Sequence, residues 1–318
     1  MELGISKFMS NQLLIYHPDS KIYAEILSKR LPRLKIHPAI HPEEALDFIE
    51  ETEIILSWKI PDELSKRAKN LQWFSSIGAG NEDLTKNPYL PERVILTKAT
   101  VYGEMMVEYV FAYVLYFSRN LSKYFEDQQY KVWDRKRPER LSGKVMGILG
   151  LGSVGKEIAK RGKQFGIRIL GIKRTPEPVK NVDQVFGLRD LVRMIPLVDY
   201  LVVALPLTPE TYHLLGEKEF SLMKEGAIFF NIGRGKTIDE EGLTRVLKTR
   251  KIKAVLDVFE TEPLPPESEL WHFKNVIITP HASGINIPEE ICEEFIRNYK
   301  RWVKGKPLIG LVDRNRGY

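Results

Sequence analysis

A single cysteine, Cys292, occurs in 318 residues, so the chain cannot close a disulfide on itself. Its neighbours Ile291 and Phe295 put it on the apolar side of a charged helix, where core packing is expected and a reactive thiol is not. Long apolar runs are also missing. Nothing approaches the ~20 apolar residues that cross a bilayer, and the first residues lack the basic, apolar, small-residue order of a secretory signal. A cytoplasmic protein with no membrane partner is the expectation. Short internal repeats and low-complexity tracts are absent as well. An apolar share of 43% and a charged share of 28% exclude wholesale disorder, and the length suits two domains of ordinary size.

Acidic residues are in slight deficit, 42 against 48 Lys and Arg, which gives a net charge of +6 and raises the question of a nucleic-acid partner. The cations are scattered. Their densest runs, Lys248 to Lys253 and Arg297 to Lys306, close predicted helices, where positive charge suits the end of the dipole. No nucleic acid is expected, and the same charge can draw acids into a basic cleft.

Short β-branched runs alternate with helical patterns, the mark of βα units and a parallel sheet. Strands are expected at Leu13 to Tyr16, Leu34 to His37, Ile54 to Trp58 and Leu71 to Ile77, with helices such as Ser20 to Leu31 and Pro61 to Asn70. A helix from Met105 to Phe117 is apolar almost all round and must be buried on more than one side, at a domain junction or a dimer seam. A charged and aromatic stretch, Lys123 to Arg140, carries Trp133 and precedes a second βα series from Val145. The expected architecture is α/β: two doubly wound parallel-sheet domains, a Rossmann dinucleotide-binding domain and a smaller flavodoxin-like substrate domain.

In the second series, strand Val145 to Leu149 runs into Gly150-Leu151-Gly152-Ser153-Val154-Gly155 and then a helix. This is a dinucleotide fingerprint in its proper setting. The first glycine allows the tight turn, the second lets backbone approach a pyrophosphate, and the third lets helix close on strand. At the end of the next strand, Ile167 to Ile172, an acidic residue would hold a ribose 2′-hydroxyl. Lys173 and Arg174 stand there instead and suit a 2′-phosphate, so NADP is preferred, with NAD as the other reading.

Four further strands end in polar groups. Asp199 to Ala204 leads into Leu205, Pro206 and then Thr211. Ala227 to Asn231 leads into Ile232, Gly233 and Arg234. Ala254 to Val258, which includes Asp257, leads into Glu262, and Val276 to Thr279 leads into His281, Ser283 and Gly284. Ligands of open α/β sheets bind along that edge, so Arg234, Glu262 and His281 are placed to converge, and Leu205, Pro206, Thr211, Ile232, Gly233, Asp257, Ser283 and Gly284 are expected to contact the dinucleotide.

Ile232-Gly233-Arg234-Gly235, Asp257-Val258-Phe259-Glu260-Thr261-Glu262-Pro263 and Thr279-Pro280-His281 resemble the three signature segments of the D-isomer-specific 2-hydroxyacid dehydrogenases, in order. The resemblance covers nearly the whole chain. It implies that Arg234 binds a substrate carboxylate and polarises its carbonyl, that His281 is the acid/base, and that Glu262 pairs with it. An arginine fork grips a carboxylate bidentately, histidine titrates near neutral pH, and a carboxylate partner fixes its tautomer. His17, His37, His41, His213 and His272 lack such a setting and are assigned structural roles. Glutamate at 262 implies a hydroxy acid, since the similar formate dehydrogenases carry glutamine there.

Gly78-Ala79-Gly80 resembles the family's substrate loop, although Asn81 to Leu84 depart from its pattern; ordinary turn glycines are the alternative. Trp58 and Lys59 look similar to a region of glyoxylate and hydroxypyruvate reductases, with plain core as the alternative for Trp58. The substrate set is therefore Trp58, Lys59, Ala79 and Gly80, and no metal is expected. Domain bounds are 1–98, completed by a last helix 286–318, and 99–285, with the active site in a cleft that opens and closes. The family resemblance also implies a homodimer. Two other readings stay open: a cofactor-sensing binding protein like the C-terminal-binding corepressors, and a short phosphoglycerate dehydrogenase.

Overall fold

The computed structural model describes residues 12–317. The chain divides into two units, Met1–Tyr102 with Asn286–Tyr318, and Gly103–Ile285. Residues 1–11 and Tyr318, which the expected domain bounds take in, lie outside the described residues.

In the first unit, strands β1 (Gln12–Tyr16), β2 (Lys35–Ala39), β3 (Ile54–Ser57), β4 (Trp73–Ser76) and β5 (Ile95–Lys98) alternate with helices α1 (Ser20–Arg30), α2 (Pro42–Leu46), α3 (Asp62–Arg67) and α4 (Glu82–Thr85). The five strands pair in parallel, in the order β2-β1-β3-β4-β5, and Thr97 of β5 adds one antiparallel bridge to Leu311. That is the doubly wound order of flavodoxin-like sheets. β3 and β4 are buried at every residue, because helices cover both faces of a parallel sheet. On one face Leu14, Ile55 and Phe74 pack with Leu64 of α3. Trp73 stacks on Phe295 of the C-terminal helix Pro288–Trp302 at 5.1 Å between ring centroids, and its Nε1 donates to Thr97 Oγ1 at 2.9 Å. Cys292, on the same helix, is fully buried, and burial pushes its thiol up to about 12, so the expected packing role holds.

The second unit contains α5 (Gly103–Ser118), α6 (Leu121–Gln129), β6 (Val145–Leu149), α7 (Ser153–Gln164), β7 (Arg168–Ile172), β8 (Gln184–Phe186), α8 (Leu191–Met194), β9 (Tyr200–Val203), α9 (Glu217–Ser221), β10 (Ile228–Asn231), α10 (Glu240–Thr249), β11 (Lys253–Leu256) and β12 (Val276–Ile278). Its sheet is parallel throughout, ordered β12-β11-β10-β9-β6-β7-β8. Counted from β6 this is the 3-2-1-4-5-6 dinucleotide-binding order with a seventh strand on one edge. The winding reverses between β6 and β9, so a crevice opens there at the strands' carboxyl ends. α5 lies against α7, where Phe111 stacks on Phe165 at 5.0 Å. Among the described residues, no helix is long and apolar enough to cross a membrane.

Candidate active site

The glycine turn divides its three glycines between two physical demands. Gly150 has φ +100°, and a Cβ there would lie 2.5 Å from Ala204 O; at Gly155 it would lie 2.0 Å from Gly150 O. The chain's own backbone excludes a side chain at both. Gly152 differs, since its φ is −75° and a Cβ there would meet nothing within 4 Å. The fold leaves that space open at the amino terminus of α7, where unpaired amides and the helix dipole, with Ser153 and Val154 in the first turn, suit an anion. A dinucleotide pyrophosphate fits the opening.

Neighbouring loops close around the same edge. Thr211 Oγ1 donates to Pro206 O at 2.6 Å and accepts from Thr208 N at 2.8 Å, which ties the loop after Leu205. A Cβ at Gly233 would lie 2.9 Å from Leu205 O, so the loop carrying Ile232 lies backbone to backbone on the loop after β9. Lys173 follows β7 and pairs with Glu177, while Arg174 holds Glu210 through Nη2 at 2.7 Å and Nε at 3.0 Å. Lys156, Lys160, Lys173 and Lys180 line a depression of about 620 Å³ beside them. The sequence showed the cations and missed both carboxylates, which are supplied by a following loop and by a segment 36 residues away.

Arg234, Glu262 and His281 follow β10, β11 and β12, which are adjacent in the sheet. His281 Nδ1 and Glu262 Oε2 are 2.9 Å apart. Glu262 is itself held, because its Oε1 accepts from Phe259 N at 3.0 Å. Arg234 sits in a tight turn: its carbonyl accepts from Thr237 Oγ1 at 2.6 Å and Asn231 Nδ2 at 3.2 Å, and its Nη1 donates to Gly233 O at 2.7 Å. The backbone of His281 is in the left-handed region at φ +52°, an unfavourable conformation for a residue with a Cβ.

What holds that turn is Asp257, fully buried just past the end of β11. Its carboxylate accepts from Thr279 Oγ1 at 2.6 Å, Ala282 N at 2.7 Å and Ser283 N at 2.9 Å, and its carbonyl accepts from His281 N at 2.8 Å. Thr279 gives its one hydroxyl hydrogen to Asp257, so Tyr109 of α5, 2.6 Å away, is the donor to Thr279. Burial pushes the Tyr109 phenol up and keeps it protonated for that task. Asp257 and Ser283, expected as cofactor contacts, are thus joined to each other, with Gly284 next along the chain. Tyr109 carries no motif and was not singled out.

In the first unit the expected strand end at Trp58 is one residue too far, since β3 stops at Ser57. Trp58 is 52% exposed, which removes the core alternative. Its indole lies over Gly78, where a Cβ would come within 2.7 Å of Nε1, so this glycine makes room for the ring. Lys59 is exposed, its carbonyl accepting from Ser57 Oγ at 2.7 Å, and Ala79 and Gly80 are half-buried.

Residues 111–283 match the family model described as D-isomer specific 2-hydroxyacid dehydrogenase, NAD binding domain. Glyoxylate/hydroxypyruvate reductase A of Yersinia enterocolitica is 30% identical over 316 residues, covering 96% of this chain and 99% of that protein. A D-isomer specific 2-hydroxyacid dehydrogenase family protein from Aeromonas salmonicida superposes with a TM-score of 0.88 at 38% identity, over 96% of this chain and 99% of that one. A D-isomer specific 2-hydroxyacid dehydrogenase from Xanthobacter autotrophicus, solved with NADPH and MES, gives 0.90 at 32%, over 97% and 100%. With a dinucleotide-binding turn and three signature loops on one sheet edge, the chain is an oxidoreductase and belongs to the D-isomer specific 2-hydroxyacid dehydrogenase family.

Proposed function

We propose that this enzyme reduces glyoxylate, hydroxypyruvate or a similarly small 2-oxo acid to the 2-hydroxy acid with NADPH. The observation that carries the reading is the His281–Glu262 contact of 2.9 Å on the loop next to Arg234's. A ring engaged at Nδ1 presents Nε2 on its opposite side, where it can give a proton to the substrate's carbonyl oxygen. Glu262 fixes the tautomer and balances the protonated ring. The guanidinium of Arg234 grips the substrate carboxylate and polarises the carbonyl. Reduced nicotinamide, when bound, supplies the hydrogen and electron pair that go to the 2-oxo carbon. Gly152, with Ser153 and Val154 at the start of α7, would hold the dinucleotide's pyrophosphate, Gly150 and Gly155 shape that turn, and Leu205, Pro206, Thr211, Ile232 and Gly233 would line the dinucleotide's path. Trp58, Lys59, Ala79 and Gly80 are proposed substrate contacts.

NADPH is favoured by Lys173 and Arg174 and by the NADPH held in the Xanthobacter relative. NADH is the second reading, favoured by Glu177 and Glu210, because a carboxylate at that place can accept from a ribose hydroxyl. A charge pair on phosphate contributes about 1 to 3 kcal/mol, roughly a 5- to 150-fold preference. Titrating both reduced cofactors against glyoxylate, hydroxypyruvate and pyruvate, with wild type and a Lys173→Asp, Arg174→Ala variant, tests both points. Turnover of none of the three acids ends the substrate reading. Equal Michaelis constants for the two cofactors end the cofactor preference.

A cytoplasmic homodimer completes the reading. The half-buried Met106, Tyr113 and Tyr116 of α5 and the exposed Phe125, Tyr130 and Trp133 give a partner copy apolar surface to cover. Size-exclusion chromatography returning a monomer would refute the dimer.

A further inference from the structure

Two carboxylates behind the signature loops have no part in the chemistry above. Glu260 Oε1 accepts from Glu240 N at 3.0 Å, and Glu240 Oε2 accepts from Glu260 N at 3.2 Å. Each side chain therefore holds the other's backbone. Glu240 is the first residue of α10, which follows the Arg234 turn; Glu260 lies between Phe259, whose amide holds Glu262, and Glu262 itself. The two segments also meet directly, since a Cβ on Gly235 would lie 1.8 Å from Phe259 O and 2.5 Å from Glu260 N. His213 joins from a third loop: its Nε2 is 3.2 Å from Glu260 Oε1, and its amide donates to Lys236 O at 2.9 Å.

The arrangement is costly and α10 does not need it. Burial pushes the Glu240 carboxyl above its ordinary range against the hydrogen bond from Glu260 N, which pulls it down, and the charge of Glu260 adds to the rise. The helix already has a cap, because Asp239 Oδ1 accepts from Gly242 N at 3.0 Å. Two like-charged groups spent on joining these segments fix the spacing of the loops that carry Arg234 and Glu262.

We propose that Glu240 and Glu260 form a reciprocal clamp, with Glu260 a positioning residue that sets the register of the Arg234 loop against the Glu262–His281 pair. This rests on the proposed roles of those three residues. The clamp acts through an acceptor oxygen, so Glu260→Gln keeps it and Glu260→Ala releases it.

The test is steady-state reduction of glyoxylate by NADPH in the full-length enzyme, at a temperature well below each variant's Tm. Glu260→Ala is expected to lower kcat and raise KM for glyoxylate together, for a combined loss of roughly 10- to 100-fold in kcat/KM, the scale of a misplacement near 1 Å. Its Kd for NADPH should stay within about twofold, and Glu260→Gln should recover most of the loss. Glu240→Ala, which withdraws the acceptor from Glu260 N alone, should show the same split at smaller size, and it carries the test if Glu260→Ala does not fold. A lower Tm with unchanged kcat/KM in the alanine variants, or a glutamine variant as impaired as alanine, overturns the clamp while leaving the substrate reading intact. A wild type that reduces no 2-oxo acid removes both.

Discussion

Replacing Asp257 by alanine should disable the active site from below, and its size can be worked from three hydrogen bonds. The carboxylate accepts from Thr279 Oγ1, Ala282 N and Ser283 N at 2.6, 2.7 and 2.9 Å. Ser283 is fully buried, so its amide is left without a partner at about 2 kcal/mol, while half-buried Thr279 and Ala282 can recover water at about 1 kcal/mol each. The sum, ~4 kcal/mol, is a large part of a typical domain's stability and corresponds to a fall of ~8 to 16 °C in Tm. Once released, the 279–283 turn no longer forces His281 into φ +52°, and the ring leaves Glu262. Turnover should then fall about 100-fold or more even in the cold, where the variant is folded. Thermal melts and glyoxylate kinetics measure the two effects separately. Asparagine should not rescue, because its amide group would face a backbone N–H that needs an acceptor. A variant within ~1 kcal/mol and twofold of wild type would refute the reasoning.

Three other outcomes follow from the same geometry. Gly152→Ala meets no atom of the chain, so its Tm should match wild type while NADPH binding weakens at least tenfold; unchanged binding would mean that no backbone approach occurs there. Gly155→Ala, with its Cβ 2.0 Å from Gly150 O, should instead fail in folding, as read by yield and circular dichroism. The Glu240 carboxyl is raised from its ordinary 4.5, so its contribution to stability is present below that value and lost as pH rises through the folded-state pKa; Glu240→Gln should match wild type near pH 4 and exceed it in Tm toward pH 7, and a gap that is flat or shrinks with pH would contradict the assignment.

Features encoded locally were legible in the sequence. Strand, glycines and helix around Gly150 are contiguous, and the three signature segments each announce a strand end, so the edge that carries the site could be read directly. Boundaries shifted by about one to three residues, as at Ile77, which stays fully buried beyond the end of β4 at Ser76, because burial of a strand does not stop where its hydrogen bonds do. Short edge elements escaped: β8 has three residues, and α2 is a single turn begun by Pro42 and closed by Glu44 on the backbone of Ile40 and His41. The stretch from Lys123 hides α6, whose polar surface obscures any apolar period. What sequence could not show are contacts made across 20 or more residues: Asp257 on the His281 turn, Tyr109 behind Thr279, Glu210 on Arg174 and the Glu240–Glu260 clamp. Each depends on which loops the sheet order brings together, and His213, set aside as structural, comes within 3.2 Å of Glu260 only through that order.

The central claim is that His281, held by Glu262, delivers the proton while other residues hold the cofactor. Turnover of His281→Ala with saturating NADPH and glyoxylate, measured alongside its Kd for NADPH, tests it most directly. A loss of about 10² to 10⁴ in kcat with Kd unchanged is the predicted result; turnover near wild type would contradict it.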